Sequence, residues 1–477
     1  MSSIRESDGT TGPGAPCEDR PAPAGMERAA FTALSLTILT SPLGSNFHVP
    51  GHPSIFAFRV FLVAFVVLAG LDALCRKAFR RPSPIIGPEA LIAALACWGL
   101  VSILWADSRG AAFRYVLFLI QNTALIYGIV VYGRTSRKLA ALVASAFGGY
   151  LIVVAGALFE RETGYRFPES MFRDPALNIR FLFSSFFHNS NDLATFFALW
   201  VPMFIVAYVE GRRVLVSLPS LALGVLSAFL VVLSLSRANT MAVVLAVLVI
   251  FGFTVRRRAL RWAVIGGLCA LLAVFMPAMP RYFASQALTK LAADVKDGAA
   301  VRDTRARLAE ESLVLLKQSR WLGVGAGNVE ARLLDMRVRT NTQTTEILNV
   351  HNWWLEVLVN LGVVGFAIYL LFYAWIVSAL SRRHVRLRAQ EPSLAALSLG
   401  LLASVVGFAI GCLSSSSVLT FAPIWVQFGF CAGVLRLGAS NPESSRREVA
   451  RAVASGDRSP RAHGEQRDGE PSGTVGP

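Results

Sequence analysis

The stretch HNWWLEVLVNLGVVG, His351 to Gly365, sets an imidazole and a carboxamide before an apolar run that ends in two glycines. An imidazole titrates near neutrality and is suited to taking up a proton at that pH. Other polar side chains also interrupt apolar blocks. Asp192 follows HNSN (188–191), Arg237 stands between two apolar runs, and Glu356 lies just beyond Asn352. A charge inside a bilayer costs about 2.5–3.5 kcal/mol on insertion scales, so such positions need a reason. Each also has a plainer role. Arg237 can snorkel to lipid phosphates, Asn352 can cap a helix, and Asp192 can offset a helix dipole. Glu356 can pair with an arginine, and Gly362 and Gly365 can let helices approach closely.

These residues need apolar helices to hold them. Of the 477 residues, 54% are hydrophobic and 16% charged, with mean hydropathy +0.53. A soluble chain carries about 25% charge. The apolar residues come in blocks of the length that crosses a bilayer. The sequence therefore predicts an all-α polytopic membrane protein of twelve spans, near 29–46, 54–75, 88–106, 113–132, 139–158, 189–209, 214–234, 238–255, 260–279, 352–380, 394–413 and 418–437. SPLG (41–44) interrupts the first, which could be a half-span. The polar, Pro- and Gly-rich residues 1–28 and 438–477 read as disordered cytoplasmic tails flanking a membrane domain over 29–437.

The net charge of +16 is no sign of nucleic acid. With a cytoplasmic N-terminus, CRKAFRRP (75–82), GRTSRK (133–138), EGRR (210–213), RRRALR (256–261) and SRRHVRLR (381–388) all fall on the cytoplasmic side. Both termini are then cytoplasmic, and Asp192, Arg237, His351, Asn352 and Glu356 share the outer ends of their helices.

Two outer segments are long, 159–188 and 280–351. In the second, RDTRARLAEESLVLLKQSRWLG spaces Leu308, Leu313, Leu315 and Leu316 for an amphipathic helix and supplies Arg302, Arg305 and Arg307. WLGVGAGN (321–328) follows, with no preceding strand and no GK[ST], which excludes a dinucleotide or P-loop reading. Its glycines could offer backbone N–H groups to an anion, or form a plain turn. The six cysteines include no CxxC pair, which suits neither a disulfide framework nor a zinc site.

Together these motifs resemble the O-antigen ligase and polymerase superfamily. His351 and Asn352, nine residues, then Gly362 and Gly365 match its ligases' histidine pattern. SLSRANTMA (234–242), HNSNDLATFFAL (188–199) and an arginine, Arg305, eighteen residues before the LGVGAGN turn are similar. Phe366 and Arg320 depart from it, the latter standing where the family usually has proline.

The resemblance covers about 30–437. It implies a GT-C-like, metal-independent glycosyltransferase bundle with a large helical outer loop, no cofactor, and a site facing outward from the bacterial inner membrane. The donor would be an undecaprenyl-diphosphate-linked glycan; the acceptor, lipid A-core or another lipid-linked glycan. HNSNDLA and ETGYRFPES look more like exopolysaccharide or teichuronic-acid polymerases than ligases. His351, Arg237 and Arg305 would be catalytic: the imidazole takes the acceptor proton, and the guanidinium groups hold the departing diphosphate. Asn352, Asn189, Asn191, Asp192, Glu356, Gly325 and Asn328 would bind substrate. The alternative is a transporter or flippase for the same lipid-linked glycan. Such proteins have broken helices and polar sites at the bilayer midplane.

Overall fold

The computed structural model describes residues 24–75, 87–174, 182–210, 214–255, 295–339, 350–415 and 418–437, without the side chains of 24, 53, 295–306 and 339. Among the described residues the regular structure is helical apart from one short antiparallel hairpin at 48–56. In chain order the described helices are α1 (Ala24–Thr40), α2 (Ala57–Cys75), α3 (Pro88–Ser102), α4 (Arg109–Tyr132), α5 (Ser136–Thr163), α6 (Ser190–Glu210), α7 (Val214–Leu233), α8 (Arg237–Thr254), α9 (Val295–Gln318), α10 (Val329–Arg339), α11 (Trp353–Leu387), α12 (Pro392–Gly411) and α13 (Ala422–Leu437).

Nine of them, α2–α8, α11 and α12, are long and apolar enough to cross a membrane, and α13 is a shorter apolar helix. This is a multi-pass membrane protein. The predicted ninth span, 260–279, and both predicted tails beyond 24 and 437 lie outside the described residues. The first predicted span is a 17-residue helix that starts at Ala24, inside the predicted tail, and stops at the SPLG turn.

The helix ends follow local chemistry. The hydroxyls of Ser108 and Thr135 accept from Ala111 N–H and Lys138 N–H and so start α4 and α5. Pro88 and Pro392 open α3 and α12, where no N–H is missed. Inside the bundle α6 and α12 are the most enclosed, with 72% of their apolar windows buried, against 17% for the peripheral α2.

One end of the bundle carries the basic stretches 133–138 and 381–388, at the start of α5 and the end of α11. There Glu27 pairs with Lys138, and Glu89 with Arg436. The opposite end carries the described parts of the long connections, and polar side chains bond between segments there. On it sits a small helical cap with its own apolar core: Leu308, Leu315 and Leu316 of α9, Leu333 of α10, Val324, Val350 and Val359. Arg337 of α10, buried, grips Glu311 of α9 through Nε (3.2 Å) and Nη2 (3.0 Å). The amphipathic helix is therefore present, with one correction. Ser312 is in the buried stripe and Leu313 is 42% exposed. Positions 308, 312, 315 and 316 share a face, whereas 313 falls about 140° round the helix from 308.

Candidate active site

Helix α11 begins at the histidine motif. Asn352 is its N-cap, its side chain accepting from Leu355 N–H (3.3 Å). His351, just before it, is half-buried with a left-handed backbone (φ 48°). After nine residues the helix breaks at Gly362 (φ 67°, ψ −172°) and then resumes.

The break is filled by protein. The turn at 321–324 slots into it: Val324 N–H donates to Val359 C=O (2.9 Å), and Val363 N–H to Trp321 C=O (3.0 Å). From α3, Trp98 Nε1 donates to the stranded Leu361 C=O (2.7 Å). An unsatisfied backbone group in hydrocarbon costs several kcal/mol, so these bonds are what permit a broken helix here. The fit demands glycine on both sides. A Cβ on Gly362 would lie 2.3 Å from the Leu322 backbone, and one on Gly323 would lie 2.4 Å from the Gly362 nitrogen. The first glycine of the motif is thus a socket for the turn, beyond the close helix approach its spacing suggests. Gly365 does make such an approach, to Trp98.

The rest of the turn is bolted down. Ala326 N–H donates to Ser102 Oγ (3.0 Å), and Asn328 N–H to Asn360 Oδ1 (3.1 Å). The Asn328 carboxamide accepts from Ser108 N–H (2.7 Å) and donates to Ala326 C=O (2.8 Å). Gly325 lies against Ala106. Backbone N–H groups at 324, 326 and 328 are therefore engaged within the protein.

Beside this turn, at the same end, a cavity of about 410 Å³ opens between α4, α11, the α10 end of the turn and the α12–α13 loop. Its lining includes Arg114, Tyr115, Glu330, Glu356, Asn360 and Thr420. Asn360 is held by its Nδ2 bond to Glu356 C=O (3.0 Å). Tyr115 is 6% exposed, and its hydroxyl has no hydrogen-bond partner among the described residues. A buried polar group without a partner is uncommon and marks a place for a ligand or water. The cavity thus offers one guanidinium, two carboxylates, a carboxamide and a phenol, with Phe118 as an apolar wall.

Next to it the α12–α13 loop carries a second polar cluster. Asn239 Nδ2 donates to Ser414 Oγ (3.1 Å), Ser236 Oγ (2.9 Å) and Asn191 C=O (3.2 Å). Thr195 Oγ1 meets Ser415 Oγ at 3.0 Å. Asn189 and Asp192 close a reciprocal cap at the start of α6: Asp192 N–H donates to Asn189 Oδ1 (2.9 Å), and Asn189 Nδ2 to Asp192 Oδ2 (3.0 Å). Trp353 N–H donates to Cys412 C=O (3.2 Å), tying the histidine motif to the same loop.

The predicted site residues therefore share one end of the bundle. Asn189, Asn191 and Asp192 cluster with the start of α8, where Arg237 is exposed, and the 412–415 loop joins them to His351 and Asn352. Of the predicted set only Glu356 lines the cavity among the described residues. Arg305 lies in α9, and its side chain, with that of Arg302, is outside the described residues. Sequence reasoning missed Arg114, Tyr115, Glu330 and Asn360. Arg114 had a signal, a guanidinium near the start of a predicted span. Among the described residues no group of three His, Cys, Asp or Glu side chains could hold a metal ion.

Residues 222–370 match the model of the O-antigen ligase family. This segment is similar to the O-antigen ligase domain. It spans most of α7, all of α8 to α10, the glycine-rich turn and α11 past its break. The matched segment thus contributes both halves of the socket at Gly362 and the histidine motif itself. The chain is also 24% identical over 408 residues to the teichuronic acid biosynthesis protein TuaE of Bacillus subtilis (strain 168), covering 82% of each protein.

Proposed function

We propose that this protein is a GT-C-like membrane glycosyltransferase of surface-polysaccharide assembly. It transfers or polymerises a glycan carried on undecaprenyl diphosphate, at the outer face of the bacterial inner membrane. The observation that carries the reading is the cavity beside the matched segment's broken helix, with the buried Tyr115 hydroxyl, unpartnered among the described residues, in its wall. A cavity of this size with a few convergent polar groups suits part of a saccharide. We assign it to the acceptor.

In the reaction an acceptor hydroxyl attacks the anomeric carbon of the donor. The bond from that carbon to the diphosphate oxygen breaks, and undecaprenyl diphosphate departs with the bonding electrons. His351 takes the hydroxyl proton. Arg237 and Arg305 offset the charge that grows on the diphosphate, which is often the largest single contribution to catalysis. Asn189, Asn191, Asp192 and Asn352 hold the donor beside the histidine. Gly325 and Asn328 act by shaping the wall of the acceptor cavity. The basic clusters of the sequence support an orientation with this end of the bundle outside. The likeness to a teichuronic acid biosynthesis protein favours a polymerase, with a lipid-linked glycan as acceptor instead of lipid A-core.

One observation speaks for a transporter: the break in α11, a feature of transporter substrate sites. There, however, the freed backbone groups face substrate or ions. Here the turn and Trp98 occupy them, which supports the enzyme. Sealed vesicles containing the purified protein and a lipid-linked donor separate the two. Chain growth with release of undecaprenyl diphosphate is expected; donor moved across the bilayer without new glycosidic bonds would establish the transporter.

A further inference from the structure

The glycine-rich turn has a second cavity on its other side. It measures about 310 Å³ and is lined by Trp105, Gln318, Arg320, Leu322, Gly323 and Arg332, with part of α9. Gly323 and Val324 wall this space, while Gly327 and Val329 wall the acceptor cavity. The two spaces are therefore separate.

Its surroundings place it at the boundary between hydrocarbon and water. Leu100, Val101 and Leu104, at the end of the spanning helix α3, are exposed, Leu104 by 82%. Trp105 follows and packs on Trp98. Across the mouth, Trp321 and Leu322 are about half exposed. Exposed apolar side chains next to tryptophans at a span end mark the headgroup level.

The charge is specific. Arg332 pairs with Asp107 of the α3–α4 loop, which fixes its guanidinium and cancels its charge. The Arg320 guanidinium has no ion pair or hydrogen bond among the described residues, its backbone N–H alone donating to Lys317 C=O (3.0 Å). Among the described residues no carboxylate lines the cavity. Two guanidinium groups, one of them uncompensated, match a group with a single negative charge and oxygens able to accept several hydrogen bonds. The Gln318 amide adds neutral donors. At headgroup depth that group is a lipid-borne phosphate.

We propose that this cavity binds the phosphate of an anionic lipid, and that the bound headgroup braces the turn that fills the break in α11. The site goes beyond the glycosyl-transfer reading and does not depend on it, because lipid retention needs no turnover.

The test is lipid retention by the full-length protein. Protein purified in detergent is equilibrated with phosphatidylglycerol, phosphatidylcholine and undecaprenyl phosphate, washed, and the retained lipid is measured by mass spectrometry. Arg320 has a left-handed backbone (φ 52°), which asparagine tolerates, so Arg320→Asn removes the guanidinium without forcing the turn. Gln318→Glu adds an opposing charge at an exposed position and serves should the first variant fold poorly. Arg134→Gln, exposed at the other end of the bundle, is the control.

The expected result is anionic lipid retained over phosphatidylcholine, with retention lowered roughly tenfold by Arg320→Asn and by Gln318→Glu, and unchanged in the control. Phosphatidylglycerol lost in the variants identifies a bulk phospholipid. Undecaprenyl phosphate lost in its place identifies the glycan carrier. Retention equal to wild type in both variants, or lowered equally by Arg134→Gln, overturns the site.

Discussion

At single positions the proposal separates residues that act on charge from those that hold sugar. Arg237→Lys keeps the charge and loses the planar fork. The initial rate on lipid-linked donor should fall about tenfold or more, since a hydrogen bond to a charged group contributes about 1.5–3 kcal/mol. A rate near wild type would remove the bidentate hold. Tyr115→Phe makes the opposite kind of change. The hydroxyl has no partner to lose among the described residues, so thermal stability should hold while the acceptor KM rises several-fold, as for one hydrogen bond of about 1 kcal/mol. A lower melting temperature with unchanged KM would make that hydroxyl structural. Arg237, His351 and Asp192 stand out in the sequence as candidates because each interrupts an apolar run. Tyr115 does not, because a tyrosine in a span is ordinary until its surroundings are known. Glu330 and Asn360 gain their meaning only from a cavity built by distant segments.

The elements place the motif, and here the break in α11 is the feature to test. Gly362→Ala puts a Cβ on a left-handed residue, costing about 1–2 kcal/mol in backbone conformation alone, and drives it into the Leu322 backbone. The folded protein should be recovered poorly, or melt well below wild type, by size-exclusion profile and thermal unfolding. Trp98→Phe keeps the ring and strands Leu361 C=O, so a loss of about 1–3 kcal/mol is expected; unchanged stability would show that another donor reaches that carbonyl. The spans themselves were readable, since blocks of apolar residues long enough to cross a bilayer have few other uses. The break was not. Its cause, the 321–324 turn, lies some forty residues away, and two glycines three apart read equally well as a helix-packing face. Leu313 shows the same limit on a smaller arc, because a run of leucines fits a helix in more than one rotation.

At the scale of the whole molecule, the described basic stretches 133–138 and 381–388 lie at one end of the bundle and the polar clusters at the other. That arrangement fixes a direction that cells can report. A cysteine replacing exposed Thr163 should react with an impermeant maleimide added outside, and one replacing Arg134 only after the membrane is opened. The reverse pattern would invert the site to the cytoplasm. The decisive measurement is turnover by the purified protein on an undecaprenyl-diphosphate-linked glycan, reading carrier release and glycan length together. Wild type should release carrier as its chains grow, and folded His351→Ala should do so about a hundred-fold more slowly or worse, the usual loss for a positioned acid–base group. Donor consumed by folded His351→Ala at the wild-type rate would contradict the assignment of the histidine, and no glycan growth by wild type with donor and acceptor present would contradict the enzyme.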